Sequence, residues 1–95
     1  MIAEVLQPVR SVKAGEQVLK AIAKGDAVEQ MAGLRLLRYV ATKDQAVELK
    51  GFLRSSENNV KKEAVNAMRV LHGEEPIENL SVFQVVEMAN KWLQS

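Results

Sequence analysis

The chain has 95 residues, an apolar fraction of 47%, an aromatic fraction of 4% and a formal net charge of +1. These values describe one domain with a modest aliphatic core, and a charge too small to argue for a nucleic-acid partner by itself. With no cysteine, disulfides and thiolate metal sites are excluded.

The N-terminal stretch MIAEVLQPV has no basic start and is interrupted by Glu4, so it reads as neither a signal peptide nor a membrane span. A cytoplasmic location is the expectation. Residues 2–13 are apolar enough for a first helix, which Pro8 starts, kinks or splits. Gly15 is expected to separate it from a second helix, Glu16 to Lys24, whose inner face is Val18, Leu19 and Ile22. Gly25 ends that helix. Asp26 then caps a third helix running to about Ala41, with Glu29 three residues on as a variant capping box.

Thr42 caps a fourth helix with Gln45 at its third position, and Ala46, Leu49, Phe52 and Leu53 face inward. A polar turn, Ser55 to Asn58, follows. The fifth helix, Asn59 to His72, has the clearest helical period, with Val60, Ala64, Ala67, Met68 and Leu71 on one face. Gly73 ends it, and Glu74 to Leu80 is a connector. Ser81, with Gln84 completing the box, caps a last helix whose stripe is Val82, Val85, Val86, Ala89, Trp92 and Leu93. Gly33 and Gly51 lie inside helices and are expected to mark close helix approach. Met31, Met68 and Met88 read as core filler. Short connections predict antiparallel neighbours.

One stretch occurs twice. VEQMAGLRLLRY, Val28 to Tyr39, matches VKKEAVNAMRVL, Val60 to Leu71, at an offset of 32 residues. Val28 pairs with Val60, Ala32 with Ala64, Leu36 with Met68 and Tyr39 with Leu71. A fixed period of this size signals stacked helical hairpins. The unit from Asp44 to Leu71 resembles a HEAT-like repeat of the short, phycobilisome-lyase type. Phe52 and Leu53 supply the paired large residues that end its outer helix. Val60, Lys61, Lys62, Ala64, Ala67 and Met68 supply the inner-helix pattern. The unit from Glu16 to Tyr39 is similar, with Glu29 and Gln30 in place of the two lysines. The resemblance covers residues 16–71. It implies an all-α fold, a small right-handed solenoid of antiparallel hairpins with five to six helices in a single domain. Its repeat units are 16–41 and 44–72, and helices 2–13 and 82–93 cap its ends.

Catalysis has little to stand on. His72 is the single histidine, placed at a helix C-terminus where a cation is favoured, and no nucleophile or spaced acid accompanies it. The five glycines are scattered, so no phosphate loop is present. Glu74, Glu75 and Glu78 lack EF-hand spacing and read as a solvated loop. No catalytic residue, cofactor or metal is expected. The charge is uneven: residues 1–69 hold 12 basic and 8 acidic side chains, residues 70–95 hold 1 and 4.

If the inner helices line a concave side, as the resemblance implies, Arg35, Arg38, Lys61, Lys62, Asn66 and Arg69 project from it, with Lys50 and Arg54 on the neighbouring outer helix. Two readings compete. The residues form a positive groove for a partner, or they are ordinary solvated helix faces interleaved by Glu29 and Glu63. Trp92, the one tryptophan, either closes the end of the stack or anchors a partner or a second copy through that terminal helix. The expected function is non-catalytic protein binding, as an adaptor, inhibitor or assembly subunit. The alternative is nucleic-acid binding by the same groove, which predicts a steep salt dependence. An enzyme or lyase subunit is the third reading.

Overall fold

The computed structural model describes residues 12–94. They form five α-helices and one short 3-10 turn, with no strand among them. The helices are α1 (Val12–Ala23), α2 (Ala27–Val40), α3 (Ala46–Phe52), α4 (Asn58–Leu71) and α5 (Val82–Gln94). The turn, Lys43–Gln45, leads into α3. Residues 2–11 of the expected first helix, and the Pro8 break, lie outside the described residues.

The caps follow local chemistry. The Asp26 carboxylate accepts the Glu29 N–H at 2.9 Å and starts α2. Ser81 and Gln84 make both halves of a capping box at α5, at 3.0 and 3.2 Å. At Thr42 the Gln45 amide oxygen accepts the Thr42 N–H at 3.0 Å. Gly73 ends α4 with φ 85°, where the Glu74 N–H reaches the Arg69 carbonyl and the Gly73 N–H the Val70 carbonyl. That is a Schellman closure, for which the left-handed residue is usually glycine.

Gly15 does not separate two helices. It sits inside α1 and is buried, because a side chain there would occupy the place of the Gln45 amide. Gln45 is itself buried and donates to the Val12 carbonyl at 2.8 Å, tying the start of α1 to the residues after α2. At the other end of α1, the Gln30 amide donates to the Ile22 carbonyl at 3.2 Å, and Ile22 fills the space a side chain on Gly33 would need. Those two ties join the start of α1 to the segment after α2, and the end of α1 to the first turns of α2. Gly51 has open space around it, so close approach does not explain it.

The most extensive packing is α2 on α4, and α4 also carries α3 and α5. Its middle is accordingly buried on every side, from Glu63 to Met68. The core joins Leu19 and Ile22 of α1, Leu34 and Leu37 of α2, Leu49 and Leu53 of the α3 segment, and Val60, Ala64, Ala67, Met68 and Leu71 of α4. Each large member contributes on the order of 1.5–3 kcal/mol of burial. In α5 the stripe is rotated from expectation. Val85 and Ala89 are buried and Trp92 and Leu93 half-buried, whereas Val82 and Val86 face outward with Phe83.

The connector reverses along α4. Arg69 holds Glu75, Asn66 holds Ile77, and Arg38 reaches Glu78 beside Glu63. Successive connector residues thus meet successively earlier levels of α4. The last turn of α5 then returns to the end of α4, where the Trp92 ring lies 4.8 Å from His72. The short connection here does not make an antiparallel pair.

The two glycines of α2 and α3 separate packing from propensity. Gly51→Ala should stabilise the protein by up to about 1 kcal/mol, since only helix propensity changes. Gly33→Ala should destabilise it despite the same propensity gain, because Ile22 is in the way. Urea midpoints of the two variants, moving in opposite directions from the parent, are the expected result.

Candidate functional site

The residues expected to form one basic groove differ in burial and in partners. Arg35 and Arg38, one helical turn apart on α2, converge on a single carboxylate, Glu63 of α4. Arg35 Nε lies 2.9 Å from Glu63 Oε2, and an outer nitrogen of Arg38 lies 2.8 Å from Oε1. Glu63 and Arg38 are buried, with side-chain exposures of 3% and 8%, whereas Arg35 is 62% exposed. Arg38 also reaches Glu78 at 3.5 Å, and its Nε is buried without a partner. A buried carboxylate is costly to desolvate, and two guanidinium partners offset that cost. Arg38 is therefore an internal strut rather than a groove residue.

Asn66 is also internal. It is fully buried and reads the backbone of Ile77 in both directions, its amide nitrogen donating to the carbonyl at 3.0 Å and its oxygen accepting the N–H at 2.9 Å. The pair replaces the hydrogen bonds an irregular connector lacks. Lys61 and Lys62 lie near the start of α4, half-buried and in no ion pair among the described residues.

Arg69 and Trp92 come together. They share an open cleft of about 190 Å³ between the end of α4 and α5, lined also by Glu74, Met88 and Lys91. The Schellman closure aims the chain at Arg69, whose Nε donates to the Glu75 carbonyl at 2.9 Å and whose NH1 pairs with Glu74 at 3.0 Å. His72 donates from Nδ1 to the Met68 carbonyl at 2.8 Å, which fixes its ring against the indole. Trp92 is thus backed on one side and offered to the cleft on the other. Lys91, one residue earlier, is exposed. The cleft combines two cations, one acid, a thioether and an indole. That set suits a carboxylate with an apolar neighbour.

Sequence reasoning places Glu63 on a solvated face and reads Met88 as core filler, and it does not single out Lys91. The spacing of Arg35 and Arg38, three apart on a helix, carried a signal for a shared acidic partner. The acids of the connector are divided: Glu74 turns to Arg69 and Glu78 to Arg38. Among the described residues no cluster of histidine and acid side chains is arranged to hold a metal ion, and no helix is long and apolar enough to cross a membrane.

No protein-family model, curated protein or solved structure matches the chain.

Removing one member of the buried ion pair leaves the other without its partner. Glu63→Ala is expected to cost about 3–5 kcal/mol, measured by urea unfolding. Replacing Glu63 and Arg38 together by leucine should recover most of that loss, because an apolar pair of similar volume avoids the desolvation.

Proposed function

We propose that the protein is a non-catalytic protein-binding module. Its described helices are read as two stacked HEAT-like hairpins, α1 with α2 and α3 with α4, with α5 as an end cap. The packing of α2 on α4 supports that reading. The observation that carries the function is the convergence of Arg69, Lys91 and Trp92 on one open cleft. Tryptophan and arginine are the residue types that most often dominate binding energy at interfaces. The partner is a protein segment that presents a carboxylate to Lys91 and an apolar side chain to Met88 and Trp92. Glu74 occupies Arg69 in the free protein, and the incoming carboxylate competes with it.

Relative to the groove expected from sequence, the working surface moves from the middle of the inner helices to the α4–α5 end. Two of the six groove residues, Arg38 and Asn66, serve the fold. Nucleic-acid binding is weaker on the same count, since fewer cations face outward together.

A peptide library displayed against the purified protein tests the proposal. Enriched peptides should place Asp or Glu next to an apolar residue. Lys91→Glu should weaken them tenfold or more, about 1.4 kcal/mol, with the melting temperature unchanged. Enrichment of no peptide, or of peptides indifferent to Lys91→Glu, overturns it. Oligonucleotide binding that weakens steeply as salt rises would move the function to nucleic acid.

A further inference from the structure

The α4–α5 cleft is built at the scale of a single residue. Its volume of about 190 Å³ lies below the roughly 300–1,000 Å³ of pockets that enclose a drug-sized ligand. Its walls are the sides of two helices, which present no sheet edge on which an extended segment could pair. The connector beside it is no better placed to pair. The Glu75 carbonyl already accepts from Arg69, and both backbone groups of Ile77 are held by Asn66. What the cleft offers is side chains of three kinds. Arg69 and Lys91 are the cations. Arg69 commits Nε to Glu75 and one outer nitrogen to Glu74, which leaves its other outer nitrogen without a protein partner among the described residues. Lys91 is exposed and in no ion pair among them. Glu74 is the acid, with its side chain about half exposed. Met88 and Trp92, both partly buried against the core, supply the apolar floor.

Resting on the protein-binding reading above, we infer that the occupant of this cleft is the free carboxyl terminus of a partner polypeptide whose last residue has an apolar side chain. A terminal residue carries a carboxylate, an N–H and a side chain on one Cα. These three groups match the cations, the acid and the apolar floor one for one. The carboxylate lies between Lys91 and the Arg69 guanidinium and accepts charge-assisted hydrogen bonds from both. Glu74, displaced from Arg69, accepts the ligand's N–H. The side chain lies against the indole and the thioether. Charge balances as well, because two cations and one acid leave a single positive charge for one carboxylate to cancel. An acidic side chain in mid-chain has the same charge but a different geometry. In an extended segment an acid and its neighbour point to opposite faces, and holding both on one side costs ordering entropy. A mid-chain acid also brings two flanking peptide groups past helix sides that have no ladder for them.

The single tryptophan makes its indole N–H signal in NMR a reporter of this cleft. The probes, titrated into the full chain, are the peptides Gly-Ser-Gly-Ser-Leu and Gly-Ser-Gly-Ser-Phe as free acids, the same two amidated, an acetylated and amidated peptide with an internal Asp-Leu pair, and free leucine. The free acids should move the Trp92 signal saturably. Amidation, or glycine as the last residue, should weaken binding about tenfold or more. Lys91→Glu should do the same with the melting temperature unchanged. Equal binding of acid and amide overturns the inference. So does free leucine that binds as tightly as the peptides, which would make the cleft a small-molecule site. An internal Asp-Leu peptide that binds as tightly as the free acids also overturns it, and leaves the wider protein-binding reading standing. Silence from the free acids and the internal peptide alike removes both.

Discussion

The structure turns on one carboxylate. Glu63 lies inside the α2–α4 contact, the most extensive packing in the protein, and is held by Arg35 and Arg38 from the facing helix. Apolar packing alone leaves two aliphatic helices free to slide, because leucine and alanine surfaces match in many registers. A buried acid that must meet two arginines has one register. The network therefore specifies alignment more than it adds stability, which agrees with the modest net value of buried ion pairs. Arg38 also carries the contact onward to the connector, through Glu78.

From there the chain is laid down by side chains reading backbone. Arg69 takes the Glu75 carbonyl and Asn66 takes both groups of Ile77. These anchors turn a Pro-containing connector, which has no ladder of its own, into a fixed return path. The return path is what brings Trp92 to His72 and opens the cleft beside Arg69. Polar residues at the centre of α4 thus act at a distance, by placing α5.

Local features were legible in the sequence. The caps at Asp26 and Ser81, the stop at Gly73, the close approach at Gly33 and the apolar face of α4 each depend on a few neighbouring residues. What was not legible depends on partners far along the chain. Gly15 resembles a helix break until Gln45 is placed against it. Glu63 and Asn66 look like solvent-facing residues of an amphipathic helix, because burial of a polar side chain is decided by a partner 28 or 11 residues away. The candidate site was half legible for the same reason. Arg69 and Trp92 were singled out, but the reversal that joins them to Lys91 lies in the connector. The 32-residue match was visible, yet identical patterning became core on α4 and surface on α2, since pattern assigns a face and not its neighbour.

The attachment of α5 has a consequence for how the molecule opens. α5 rests chiefly on α4, while α2 and α4 share the ion-pair network and the main core. The last helix can detach together with its connector by giving up the Asn66, Arg69 and Arg38–Glu78 contacts, leaving the Arg35–Glu63–Arg38 clamp closed. Opening at α5 breaks fewer ties than opening between α2 and α4, although Ala89 shares the core cluster and must be uncovered. The amides would report that difference as early exchange in the C-terminal third and late exchange around Leu34 and Val65.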